Sequence, residues 1–384
     1  MRGWLKLLTL LQTMVTAGTL CASAAAAEVT LRLIGAHAVP SGTMHDGVEF
    51  GGISGIDRLA DGRFVAISDD RGGERGAPRF YRMALDVDAR GVHGVRILGH
   101  TFMQRPEGQG FAADQRTVDP EDIRVAPNGH LYWSSEGIWS LIPSRRQQPF
   151  VREMRPDGSH VREFSLPPAY RLVDNATTGG RDNKLLEALA LSPDGATLYV
   201  ANEDALIQDG PVATQDRGSR LRVTALDTAS GSVTGQYAYD LPPIPAMGLS
   251  RVPASADNGL TALLGWSGNS FIAVERAYVP GAGNTIRLVH TSIRPGLTTD
   301  VQTVERLADA AVVPMTRELL LELPPVFQGV HMDNIEGISW GPTLDNGHRT
   351  LVLVADNNFS QRQRNLFIVF EVQDKSAASS PSVR

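Results

Sequence analysis

Short apolar runs broken by Gly, Asp and Asn fill the chain from about residue 29 to residue 373. Five of the breaks fall inside one repeated pattern. The copies are GGISGIDRLADGRFVAISDD (51–70), DPEDIRVAPNGHLYWSSEG (119–137), KLLEALALSPDGATLYVANED (184–204), NGLTALLGWSGNSFIAVERAY (258–278) and DNIEGISWGPTLDNGHRTLVLVADNN (333–358). Each reads as an apolar strand, a turn containing Gly, and a second apolar strand, which is a hairpin signature. The copies align residue by residue. Ser54, Glu121, Glu187, Thr261 and Glu336 share one place in the first strand, and Asp69, Glu136, Glu203, Arg276 and Asp356 share the end of the second. The two places are 15, 15, 16, 15 and 20 residues apart.

Two further strand-like runs follow each of the first four hairpins. RFYRMALDVD and VRILGHTF follow the first, for example. The fifth hairpin is followed by only one, NLFIVFEV, while a spare strand, VTLRLIGAHAV, stands at 29–39. Four-stranded repeats starting about 66 to 75 residues apart predict propeller blades. We therefore expect an all-β propeller over 28–373 with five visible blades, leaving room for a divergent sixth. The N-terminal strand would complete the last blade, removing the exposed edge. The polar tail 374–384 is expected to be disordered.

Composition changes this picture at the N-terminus. Arg2 and Lys6 precede an apolar run and then ASAAAAE, the layout of a cleaved secretory signal over 1–27. An exported protein, periplasmic or secreted, follows, with no membrane contact after signal removal. The single cysteine, Cys21, would leave with the signal, so no disulfide is available. Removing two basic and no acidic residues takes the formal charge from −6 to −8. An acidic chain disfavours nucleic acid as a partner. A monomer acting on a small ester is expected.

Three glutamates stand mid-strand where an apolar residue is the norm: Glu121, Glu187 and Glu336. If the first strand of each repeat is innermost, they converge on the central channel. Asp69, Asp70, Glu136, Glu203, Asp204, Glu275 and Asp356 would crowd the rim. Crowded carboxylates raise one another's pKa, and a bound cation relieves this, with Ca²⁺ taking six to eight oxygens. The expected metal set is Glu121, Glu187, Glu203, Glu336, Asp356 and Asp69. Asp122 should face away from Glu121 and be structural. Arg276 and Arg71 are candidates for holding an anionic substrate, and Glu187, Glu336, Arg276 and His331 for catalysis. Ser339 sits in a GxSxG pattern but lacks the strand-to-helix setting that a nucleophile elbow needs. An acid bonded to backbone N–H groups, joining blades without chemistry, remains an alternative for each glutamate.

The segments GGISGID…FVAISDD, LLEALALSPDG…LYVANED, FIAVERAYVPG and DNIEGISW…LVLVADNNF resemble the phytase-like domain of exported bacterial proteins, over about 40–372. That resemblance implies a propeller with esterase-like activity. A more distant similarity to calcium-dependent β-propeller phytases implies phosphate monoester hydrolysis with calcium held by rim carboxylates, best matched by Glu187 and Glu336. The chain departs from that pattern in having no dense Lys/Arg cluster and five clear repeats rather than six. Two other readings stay open: a lactonase-type propeller using Glu187, Asn202, Glu336 and Asn357, and a non-catalytic binding propeller with a structural cation.

Overall fold

The computed structural model describes residues 29–70, 75–174 and 177–374; the expected signal peptide, Arg71 and the tail from 375 lie outside them. Five four-stranded antiparallel sheets are arranged as a propeller. Blade one runs Ile53–Arg58, Phe64–Ser68, Arg79–Asp88 and Gly91–Phe102 from the inside outwards. Blade two is Pro120–Val125, Leu131–Ser135, Phe150–Met154 and His160–Glu163. Blade three is Leu186–Leu191, Thr197–Asn202, Ser219–Asp227 and Val233–Leu241, and blade four Asp257–Ser267, Ser270–Val279, Gly283–Ser292 and Glu318–Leu323. Blade five joins Asn334–Trp340, Thr350–Asp356 and Asn365–Asp374 to the N-terminal strand Val29–Val39. The expected closure therefore holds, with Val29 opposite Asp374 and Val39 opposite Asn365.

The second strands show why the ring forms. Both of their faces are covered, so over their central stretch they are apolar on both faces rather than alternating. In Phe64–Ser68, Phe64 and Ala66 pack towards blade five, and Val65 and Ile67 towards blade two. Leu351 and Leu353 face blade four, whereas Val352 and Val354 face blade one. Five large apolar clusters result, one between each pair of neighbouring blades.

One polar residue ties the centre together. Arg124, on the inner strand of blade two, is almost fully buried. Its guanidinium donates to the carbonyls of Ile56 (2.6 Å), Leu189 (2.7 Å), Leu263 (2.8 Å) and Ile338 (3.2 Å), one in each of the other blades. It also reaches Ile123 of its own blade (3.3 Å) and pairs with Asp122 at 2.8 Å. Asp122 in turn accepts the N–H groups of Ile123 and Leu189, so it faces away from Glu121 and is structural, as expected. Removing one partner of a buried ion pair costs on the order of 3–5 kcal/mol. Arg124→Met should therefore lower the urea unfolding midpoint severely, whereas Arg220→Ala, in a partly exposed pair with Asp240, should cost about 1 kcal/mol or less.

Candidate functional site

The site is built by an irregularity repeated in every blade. Each inner strand shifts register against the second strand: at Ser54, at Glu121–Asp122, at Glu187, at Thr261 and at Glu336. A bulge leaves a residue unpaired in the ladder and re-aims its side chain. The positions that align in the sequence are thus the bulge positions, and a polar residue there takes nothing from the apolar layers. Ser54 and Thr261 are short. Glu121, Glu187 and Glu336 reach into a cavity of about 220 Å³ at one end of the channel. Asp69, Glu136 and Arg276, from the aligned second-strand positions, line it as well.

The two sides of this cavity differ in charge. On blades one to three, carboxylate oxygens of Glu121, Glu136 and Glu187 lie within 4.8 Å of one another, as do those of Asp69, Asp119 and Glu121. Glu121 belongs to both groups. Burial raises its pKa well above the ordinary range, and the neighbours adding to this are Glu187, Asp69, Glu136 and Asp119, all carboxylates. Glu187 is likewise pushed well up, by burial first and then by Glu203 and Glu136.

Blades three and four supply cations. Arg276 donates to Glu336 at 2.8 Å, to Glu203 at 3.0 Å and to Asn334. Lys184 bonds Glu203 at 2.8 Å and both oxygens of Asp257 at 2.7 Å. Gly259, paired with Arg276, makes room for this, because a Cβ there would stand 2.4 Å from the Glu203 side chain. Carboxylates raise the pKa of Arg276 and Lys184 against the effect of burial, so both stay charged. Burial lifts Glu336 to about 7 despite Arg276. Asp356 is raised well above its usual value by burial and then by Glu336.

Backbone strain marks the same rim. Asn183 has φ +56°, and the consecutive residues Asn358 and Phe359 have φ +45° and +49°, a region non-glycine residues seldom occupy. Asn183 and Asn358 both line the cavity. The strained turn is held by Asn357, whose Oδ1 accepts Gly52 N–H at 2.9 Å and whose Nδ2 donates to Ser41. The Phe359 ring fills the space where a Cβ on Gly52 would be, 2.7 Å away, and Gly52 itself has φ +64°.

Several expected residues do not meet here. Asp70, Asp204 and Glu275 each neighbour a rim position, and alternation along an extended chain sends them elsewhere. Asp70 pairs with buried Arg79, Asp204 binds Ser219, and Glu275 binds Arg317 and Tyr239. His331 is exposed on a short hairpin and lines no part of the cavity. Ser339 is buried mid-strand and donates to Asp57 at 3.2 Å, which removes the nucleophile-elbow reading. Asn357 is used in the turn just described, and Asn202 is buried without reaching the cavity. In their place Asn183, Asn334 and Asn358 line the cavity, with Asp119 beside Glu121 and with Lys184 and Asp257 behind, against Glu203 and Arg276. Asp119 and Asn334 each lie two residues before a bulge glutamate, a regularity visible in the alignment of repeats.

The phytase-like family, described as "Esterase-like activity of phytase", matches residues 48–359. The chain belongs to the phytase-like family. A search of curated proteins gave no match. Among solved structures, the chain is similar to a bifunctional GH43-CE protein of Bacteroides eggerthii at 10% identity and TM-score 0.41, covering 86% of this chain and 34% of that one. The phytase-like chain thus spans about a third of that protein's length. It is also similar to the periplasmic gluconolactonase of Pseudomonas aeruginosa (13%, TM-score 0.36, covering 83% and 84%) and to the Dos1 propeller (8%, TM-score 0.31, covering 83% and 68%). At these values the similarities bear on neither activity nor substrate.

The residues present fit a hard divalent cation: an all-oxygen donor set, buried, with like charges crowded around Glu121. In metal-free protein, burial and neighbouring carboxylates make Glu121, Glu187 and Glu336 bind protons more tightly than the unfolded chain does. Their contribution to stability is present below the unfolded carboxylate value of about 4.3 and is lost as pH rises through the higher folded values. Thermal unfolding in chelator should therefore show a lower melting temperature at pH 8 than at pH 5.

Proposed function

We propose that this phytase-like propeller is an exported, cation-dependent hydrolase of phosphoric or related esters, acting at the channel mouth. The observation that carries the reading is the division of one small cavity into a side of crowded carboxylates and a side built around Arg276. Glu121, Glu136 and Glu187 would hold the cation, with Asp69 and Asp119 beside them. Calcium is the favoured identity, because carboxylate oxygens are the whole donor set. A divalent cation bound there supplies Lewis-acid neutralisation of developing negative charge and acidifies water.

The chain's own groups divide the remaining work. Arg276, kept rigid by Glu203, Glu336 and Asn334, orients an anionic ester oxygen. Glu336 Oε1 is occupied by Arg276 and Asn334, which leaves Oε2 to carry a proton. With a pKa of about 7, it is matched to donating that proton to the departing alkoxide near neutral pH. Lys184 acts one layer out: by fixing Glu203 and Asp257 it fixes what holds Arg276. One arginine on the cavity wall suits a singly anionic ester better than a polyphosphorylated one.

Calcium titration of chelator-treated protein by calorimetry, followed by assays with p-nitrophenyl phosphate and p-nitrophenyl acetate, tests this. Turnover should appear with calcium occupancy. Glu187→Gln should weaken calcium binding and lower turnover together. Glu336→Gln should keep calcium and lose about 10²–10⁴-fold in kcat. Calcium binding that raises the melting temperature with neither ester cleaved would make the cation structural and the propeller a binding module.

A further inference from the structure

Strands alternate in direction within each blade, so the loops after second strands and after fourth strands emerge on the face that holds the channel mouth. Four of these loops carry exposed apolar tips. The loop 136–149 of blade two presents Trp139, Leu141 and Ile142, and Leu141 is 82% exposed. The loop 40–52, where blade five meets blade one, presents Met44 at 59%. Leu249 stands on the loop between blades three and four, and Val326 on the loop between blades four and five. On the opposite face, exposed Leu297 and Val313 both belong to one connection of blade four. The apolar tips of the mouth face are thus spread around the ring.

The largest tip stands on a built stem. Gly137, at φ +83°, lets the chain cross Gln147, whose carbonyl oxygen would lie 2.6 Å from a Cβ there. Ile138 and Gln147 exchange two backbone hydrogen bonds of 2.9 Å. The Gln148 side chain bonds both backbone groups of Leu172, and Asp182 accepts the N–H of Trp139 at 3.0 Å. Arg146 lies over the Trp139 ring at 5.7 Å and pairs with Asp174. Above this base, Leu141, Ile142 and Pro143 are exposed, and a 3-10 turn at Pro143–Arg145 closes the apex. Residues 137–149 include no acid. Arg145, three residues from Ile142, and Arg251, two residues from Leu249, are exposed and form no ion pair among the described residues.

We propose that the mouth face docks on a phospholipid bilayer containing anionic headgroups, with Leu141 and Ile142 entering the acyl boundary. Trp139 and Arg145 would stand at headgroup level, where tryptophan and arginine are favoured, and Met44, Leu249 and Val326 would touch the same plane from other blades. A second protein fits less well. Even fully exposed, one Trp, one Leu and one Ile present less than the roughly 800 Å² per partner that a stable protein interface buries. Small apolar tips on separate loops, with cations beside two of them, suit a flat surface into which each side chain inserts alone. Such anchors leave no long apolar run, which is why the sequence gives an expectation of no membrane contact. Docking of this kind is independent of the hydrolase reading and would turn the channel mouth towards the lipid.

Cosedimentation with vesicles of phosphatidylcholine and phosphatidylglycerol tests this on the full mature chain. The protein should sediment with them, and more tightly than with phosphatidylcholine alone. The double variant Leu141→Ser, Ile142→Ser should bind at least about tenfold more weakly, with an unchanged melting temperature. Met44→Ser, on a different loop, should also weaken binding. Brominated lipid should quench tryptophan emission of the unaltered protein more than that of Trp139→Phe. Failure to sediment at low salt would overturn the proposal, as would equal binding by the double variant. Self-association that the double variant abolishes would overturn it too, by showing that a second copy covers the tips. Turnover of soluble p-nitrophenyl esters and calcium affinity should be the same in the double variant, so failure of the hydrolase reading would be seen separately.

Discussion

Five blades meet at one guanidinium. Arg124 spends its donors on carbonyls from all five inner strands and its charge on Asp122. A charge this deeply buried is tolerable only when every donor is met and the counter-ion is itself hydrogen-bonded. Both conditions require the five strands to stand at one fixed radius and rotation around the axis. The apolar clusters between blades supply most of the burial but are spread over wide surfaces. Arg124 adds a single point at which any sliding of one blade leaves a carbonyl or a donor unsatisfied.

The geometry of the mouth depends on that constraint. With the inner strands fixed at Ile56, Ile123, Leu189, Leu263 and Ile338, the bulges a few residues away bring Glu121, Glu187 and Glu336 to one depth. Mutual repulsion among these acids would splay a loosely held ring. A held ring keeps them close, pushes their pKa values up, and so prepares a site whose favourable occupants are protons or a cation. Arg276, standing where the other blades have a carboxylate, breaks the symmetry. It converts a uniform ring of acids into a cavity with a direction, and Lys184 and Asp257 hold that break in place. Strain in the Asn357–Phe359 turn lies on the same rim, close to where the last blade meets the first.

The architecture was legible because its signals are local. Turn residues, short apolar runs and a repeat that aligns residue by residue identified the strands, and the run at 79–88 matches its strand end to end. The closing N-terminal strand followed from counting. The mid-strand acids could be recognised because a charge at that position is unusual. The bulges that aim them were invisible, since one extra residue in a ladder leaves no compositional mark. Arg124 was also missed: in DIRV a charged residue near a strand end reads as solvated, and only the ring brings it to carbonyls 65 to 214 positions away. Lys184, Asp257, Asn183 and Asn358 stand at strand ends or in loops, where polar residues are ordinary. Asp70, Asp204 and Glu275 were assigned to the rim because an acid at a strand end looks the same whichever face it takes.

The proposed chemistry at the mouth requires that the crowded carboxylates of blades one to three bind a cation. Anomalous diffraction from crystals soaked in a lanthanide, read before any activity is measured, addresses this most directly. The strongest anomalous peak should lie inside the cavity, between Glu121, Glu136 and Glu187, and should vanish in Glu187→Gln crystals. Intact, well-ordered crystals with no peak at those residues, or with the ion bound only at surface carboxylates, would contradict it.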